Sequence, residues 1–189
     1  PSITVTGNAS DSISWIKSVT VNGTSTGLTG GTYTSDIQLT EGQNTITAMA
    51  TDTAGNTNTA TITVTLDTTP PAITSATPVD NGTDVSVNAT ITATFSEEID
   101  ALAITTTTLT VNSETSGTVS GSITYNDHIA TFTPSDNLSY NTTYTATIKS
   151  GNNGVKDLAG NALTEDYVWS FMTESGLEIT ITEPQDGET

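Results

Sequence analysis

One stretch of this chain settles its fold class before composition is considered. Ala60, Ile62, Val64 and Leu66 alternate without a break with Thr59, Thr61, Thr63 and Thr65. A period of two sends successive side chains to opposite faces of a strand, one apolar and one threonine. Similar patterns recur at Ile16-Val19-Val21, Tyr33-Ile37-Leu39, Ile46-Ala48-Ala50 and Tyr144-Ala146-Ile148. Asn-Gly, Gly-Gly and Glu-Gly turns separate the early ones. Roughly a quarter of the residues are threonine, a β-branched residue suited to exposed strand faces. Hydrophobic content is only 33%, yet it alternates, which a disordered chain would not show. The expectation is an all-β protein of thin sandwiches, with threonine outside and Val, Ile, Leu and aromatics inside.

Charge narrows the partners. The formal net charge is −18, with Lys17, Lys149 and Lys156 the only cationic side chains apart from one histidine. Phosphate backbones and anionic membrane surfaces both need cationic groups, so neither nucleic acid nor such a surface is expected. No apolar run is long enough to span a bilayer, which excludes insertion as helices. The chain has no cysteine, so disulfides are excluded and the redox compartment cannot be read.

The chain divides at Asp67-Thr68-Thr69-Pro70-Pro71. Two prolines stiffen that segment and keep it out of a strand ladder. The expected parts are a sandwich over residues 1–67 that lacks its initial strand, a second sandwich over 68–175, and a terminal strand over 176–189. Leu177-Glu178-Ile179-Thr180-Ile181-Thr182-Glu183 alternates apolar and polar, then breaks at Pro184-Gln185-Asp186-Gly187. The second domain opens in the same way, with a strand at Ile73 and then Pro78-Val79-Asp80-Asn81-Gly82. Read after Thr189, the abrupt opening strand Ile3-Thr4-Val5-Thr6-Gly7 continues the tail into one small β-domain. Leu177, Ile179 and Ile181 are therefore expected to complete the first domain of a neighbouring copy, in a head-to-tail polymer or a tandem repeat.

Several motifs then carry a resemblance. Residues 68–174 resemble the bacterial Ig-like domain of S-layer proteins and large secreted adhesins. The carrying stretches are Thr69-Pro70-Pro71, Ala93-Thr94-Phe95-Ser96-Glu97-Glu98-Ile99-Asp100, Ala130-Thr131-Phe132-Thr133-Pro134, Val155-Lys156-Asp157-Leu158-Ala159-Gly160-Asn161 and Trp169-Ser170-Phe171. Residues 1–66 are similar to a second bacterial Ig-like type, through Ile3-Thr4-Val5-Thr6-Gly7, Val19-Thr20-Val21-Asn22-Gly23 and Ala50-Thr51-Asp52-Thr53-Ala54-Gly55-Asn56. That type normally begins with a strand and a Pro-x-Asp-Gly turn. The N-terminus departs from the pattern here, and the C-terminus carries it. The resemblance implies immunoglobulin-like sandwiches, an extracellular or cell-surface place, and roles as spacers, lattice modules or adhesin stalks. It also implies that calcium is a common ligand.

Catalytic chemistry finds little support. His128 is the one histidine and reads as a strand residue beside Ile129. No Ser-His-Asp set and no glycine-rich phosphate loop is legible. Trp15 and Trp169 read as core or rim packing. The recurring motif is Asp52-Thr53-Ala54-Gly55-Asn56 and Asp157-Leu158-Ala159-Gly160-Asn161, each between the last two strands of its domain. Two readings stand side by side. One is turn chemistry, with Asp bonding its own backbone, Gly at positive φ and Asn tolerant of it. The other adds calcium, which takes six to eight oxygens. Topology places the Asp157 loop and the Ser96–Asp100 loop at one pole, so Asp67, Glu97, Asp100, Asp157 and Asn161 are the expected ligands there. Asp52 and Asn56, with Asp11 nearby, are the equivalent group in the first domain. The chain is thus expected to be a non-enzymatic structural module of a fibre, stalk or sheath. The alternatives are a spacer of a large adhesin and an accessory pair of a secreted enzyme.

Overall fold

The structure, a computed structural model, describes residues 1–180. It divides into two compact units, the first Pro1–Thr68 and the second opening at Thr69. Both are β-sandwiches.

The first unit contains β1 (Ser2–Asn8), β2 (Ile16–Val21), β3 (Thr24–Thr26), β4 (Leu28–Thr29), β5 (Thr32–Gln38), β6 (Gly42–Asp52) and β7 (Thr57–Leu66). They form two sheets, β1-β5-β4 and β3-β2-β6-β7. Asn22 and Gly23 both take positive φ, 49° and 79°, which turns β2 tightly into β3. β6 and β7 pair continuously from Gly42 opposite Leu66 to Thr51 opposite Thr57. Val21, Leu39 and Ile46 form its buried cluster, with Ile3, Val5, Tyr33, Ile37, Ala48, Val64 and Leu66 half-buried around them, and Val19 is buried as well.

The second unit contains β8 (Ile73–Thr77), β9 (Gly82–Val85), β10 (Ile91–Phe95), β11 (Leu109–Ser113), β12 (Gly117–Thr118), β13 (Gly121–Asn126), β14 (Ile129–Pro134), β15 (Thr143–Ile148) and β16 (Tyr167–Thr173). Its sheets are β13-β14-β10-β8 and β12-β11-β15-β16-β9. β8 and β9 are consecutive but lie in different sheets: β8 pairs antiparallel with β10, while β9 pairs parallel with β16. The core is correspondingly full. Ile91, Phe95, Val111, Phe132, Trp169 and Phe171 are all buried in one cluster, and the rings of Tyr144 and Phe171 stack at 5.6 Å.

Three sequence expectations are corrected. Trp15 is not packed: it is 86% exposed in the loop between β1 and β2, next to Ile13, which is 97% exposed. A lone tryptophan outside a strand has no periodic neighbours to fix which way it faces. His128 lies in the turn between β13 and β14 at φ 64°, not on a strand, and stands 3.6 Å from Glu98. Asp127-His128 supplies the two positive-φ residues of a tight hairpin. Ile62 on β7 is 53% exposed although its alternation predicts burial. Leu177–Thr180 adopt no strand, and Ile181 lies outside the described residues. Among the described residues, no helix is long and apolar enough to cross a membrane.

Candidate functional site

The exposure of Ile62 leads to the first site. Ile3-Thr4-Val5-Thr6-Gly7 of β1 and Ile91-Thr92-Ala93-Thr94-Phe95 of β10 are counterparts in sequence and in pairing. β1 pairs with β5 through Ile3 opposite Ile37, and β10 with β14 through Ile91 opposite Phe132. The inward residues of β10 are fully buried, whereas Ile3, Val5 and Gly7 are only half-buried. The difference is a neighbour. β10 carries β8 on its second edge, while β1 is the last strand of its sheet among the described residues. The final strands differ in the same way. β16 has β9 beside it and buries Trp169, Phe171 and Thr173. β7 ends its sheet, and Asn58, Ala60 and Ile62 on its inner face are exposed.

Between these edges runs a groove of about 340 Å³ lined by Val19, Tyr33, Ala48, Ala50, Asn58 and Ala60. Tyr33 lies across Gly7 so closely that a Cβ there would collide with the phenol ring and its oxygen. Open strand edges with an apolar inner face are templates for another strand.

The second feature is the pair of Asp-Asn loops, which are built alike. The Asn161 backbone N–H donates to Asp157 Oδ1 at 2.8 Å and its Nδ2 donates to Oδ2 at 2.8 Å. The Asn56 backbone N–H and Nδ2 donate to Asp52 at the same distances. Gly55 and Gly160 both take φ 93°, where an L side chain is strained. The geometry is therefore that of the turn chemistry read from sequence. In the first unit Ser14, far away in sequence, also donates its hydroxyl to Asp52 Oδ2 at 2.9 Å. Its backbone N–H and that of Ile13 donate to Asp11 Oδ1. These donors, first the Asn56 side chain, hold the Asp52 carboxyl down at about 2, and the Asp11 carboxyl is lowered by the Ser14 and Ile13 amides. Sequence reasoning missed Ser14 because nothing local marks it.

Around Asp157 the structure places some expected residues together. Ile99 bridges to Asp157, and the Asp100 N–H donates to the Lys156 carbonyl at 2.9 Å. Glu97 and Asp157 each offer a carboxylate oxygen within 4.8 Å of the other. Asp100 does not join them. Its Oδ1 instead accepts from the Leu102 N–H at 3.0 Å and caps a short 3-10 turn at Ala101–Ala103. Asp67 follows β7 directly, at the end of the first unit. Asp157 accepts the Asn161 N–H at Oδ1 and the Asn161 side-chain amide at Oδ2, and carboxylate oxygens with lone pairs to spare suit a hard cation.

Comparison with known proteins follows this geometry. Residues 67–173 match the family described as bacterial Ig-like domain, and residues 1–68 match glucodextranase, domain B. No curated protein matches the chain. Among solved structures, the N-terminal part of the bacterial S-layer protein SbsC is similar at 19% identity over 60% of this chain and 26% of its own, with a TM-score of 0.42. The LD transpeptidase LdtMt1 in complex with imipenem is similar at 12% identity over 55% and 40%, with a TM-score of 0.40. A chimeric titin Z1Z2 is similar at 10% identity over 94% and 89%, with a TM-score of 0.39. The chain spans less than half the length of the first two of these. Both matched families are non-catalytic modules, and bacterial Ig-like domains are typical of surface and secreted proteins. With more than half of its residues inside the first match, this chain belongs to the bacterial Ig-like domain family.

Proposed function

We propose that the chain is a non-enzymatic structural module of an extracellular or cell-surface fibre, stalk or sheath. In this reading the first unit is completed by a strand from a neighbour. The neighbour is the adjacent repeat of a longer chain or a separate copy joined by strand addition. The observation that carries the proposal is the edge of β1, which no other strand among the described residues pairs with, beside the exposed inner face of β7. Leu177 and Ile179, at 90% and 81% exposure, are apolar side chains in search of cover. Burying such side chains contributes roughly 1.5–3 kcal/mol each. Sedimentation of the full chain over a range of concentrations tests this. End-to-end oligomers that disappear when residues 177–189 are deleted are expected. Oligomers that persist after the deletion would refute it.

Calcium belongs to the same proposal. Glu97, Asp157 and Asn161, all in the second unit, form its centre. Asp52 and Asn56 are the first unit's equivalent. Two carboxylates this close repel, and a divalent cation relieves that repulsion. Calorimetric titration with Ca²⁺ should release heat, and chelator should lower the melting temperature. Absence of both would remove calcium from the account.

A second reading is favoured by one observation, the match of residues 1–68 to a domain named from glucodextranase. There the two units are accessory modules of a secreted enzyme, beside a catalytic domain elsewhere in a longer chain. The remaining alternative, a spacer of a large adhesin, uses the same modules.

A further inference from the structure

Among the described residues of the second unit, β8, β9, β12 and β13 end their sheets, and the first three are blunted. β12 has two residues, and β9 has four, with Asp84 at φ 55° among them. β8 lies between Pro71 and Pro78, and its pairing with β10 shifts register at Thr94/Phe95. Short length, charge, proline and irregularity keep an edge from pairing with another chain. β13 has none of them. It runs six residues, Gly121–Asn126, without proline or a charged residue, and pairs with β14 in unbroken register.

The hydrogen-bond phase shows what this edge offers. The Phe95 N–H donates to the His128 carbonyl at 2.9 Å, and Ala93 and Ile91 stand opposite Ala130 and Phe132 in the same phase. Ala130 and Phe132 therefore turn their main-chain groups to β10, while Ile129, Thr131 and Thr133 turn theirs to β13. Their partners there are Asn126, Thr124 and Ser122. The Ser135 N–H, bonded to the Ser120 carbonyl at 2.9 Å, continues that phase. The N–H and C=O groups of Gly121, Ile123 and Tyr125 thus point away from β14, to the side where no described strand lies. Ile123 and Tyr125 pack on the core but stay half-buried, and Ser122, Thr124 and Asn126 are exposed.

We infer that this edge receives β13 of a second copy, antiparallel and related by a two-fold axis at Ile123. Such a contact is lateral and separate from the end-to-end reading above. A two-fold pairing sets the same strand on both sides, so its fit can be read from one sequence. With Ile123 opposite Ile123 of the second copy, Gly121 stands opposite Tyr125, and every outward main-chain group of these residues finds a partner. A slide of one residue would oppose groups that β14 already holds. A slide of two would bring in Val119, whose N–H is already given to the Val111 carbonyl at 2.8 Å. The side chains agree with the same centre. On the inner face the Tyr125 ring lies opposite a glycine, so nothing crowds it. On the outer face Ser122 meets Thr124, hydroxyl against hydroxyl. Charge agrees too. Copies that each carry −18 meet best along a strip without charge. The two Asp127 side chains stand at opposite ends of that strip, roughly 27 Å apart, well beyond a screening length of about 8 Å at 0.15 M salt.

The chain has no cysteine, so introduced thiols report the pairing directly. Ser122 and Thr124 of the second copy form a directly opposite, non-hydrogen-bonded pair, with Cα atoms roughly 4.5 Å apart and within disulfide range. Like positions, 122 with 122 or 124 with 124, are diagonal and roughly 7–8 Å apart. Full-length S122C and T124C chains, one of them mass-labelled, are mixed and oxidised at high concentration. The mixed dimer is expected to form about tenfold faster than either like dimer. In the unmodified chain, the Ile123 and Tyr125 amides should exchange freely when dilute and become protected as concentration rises, with the Thr124 amide protected throughout. Like dimers that form as fast as the mixed one overturn the register. Cross-linking no faster than in urea, with Ile123 and Tyr125 exchange independent of concentration, overturns the contact. Protection of both amides already at the lowest concentration would mean that the chain covers its own edge, which overturns a second copy as the occupant. Deleting residues 177–189 should leave the mixed cross-link in place, whatever it does to end-to-end oligomers. Loss of the cross-link on that deletion would overturn a separate lateral contact.

Discussion

At the scale of single residues, the two Asp-Asn loops are the most transferable feature of this chain. Their spacing was legible because the chemistry is local: Asp, Gly and Asn satisfy one another within five residues. Gly160 at φ 93° admits no β-branched residue without strain. Gly160→Val should cost about 1–3 kcal/mol in urea denaturation of the second unit. The Asp52 carboxyl, held at about 2 against an ordinary 3.8, contributes stability in a definite pH window. A carboxyl lowered in the folded state stabilises fully above its unfolded value and loses that contribution as pH falls through the folded one. The first unit should therefore lose melting temperature between about pH 4 and pH 2, and D52N should flatten that loss, as scanning calorimetry can show. Ser14, which supplies one of the bonds to Asp52, was not legible, because only the folded sheet brings it near.

At the scale of elements, the same sequence pattern has two outcomes. β7 and β16 both alternate, yet only β16 buries its inner side chains. Alternation fixes which residues share a face. It does not fix whether a neighbouring strand covers that face, because the cover comes from elsewhere in the fold. The longer strands of both units were legible from period and Gly placement, while the short β3, β4, β9 and β12, the Asp127-His128 turn and the exposure of Ile62 and Trp15 were not. Substitutions should follow cover rather than hydrophobicity. Phe171→Ala is expected to cost about 3–5 kcal/mol by denaturant unfolding. Ile62→Thr should stay within about 0.5 kcal/mol in the dilute chain.

At the scale of the whole molecule, charge opposes what the edges invite. Each copy carries a net charge of −18, so copies repel until salt or a divalent cation screens them. Raising ionic strength from about 0.01 M to about 0.15 M shortens the screening length from roughly 30 Å to 8 Å and should strengthen self-association in sedimentation experiments. Nucleic-acid complexes show the opposite salt dependence. The alternation and the repeated proline turn made the partner strand a question for the sequence. In the second unit β8 and β9 flank β10 and β16, while among the described residues β1 and β7 end their sheets.

The central claim is that β1 receives a strand, and amide hydrogen exchange on the full chain at low and high concentration tests it most directly. If the claim holds, the β1 amides that face away from β5 exchange freely when dilute and become protected as concentration rises, with β7 following. Exchange at β1 that is independent of concentration, while sedimentation shows association, would place the contact elsewhere and contradict the account.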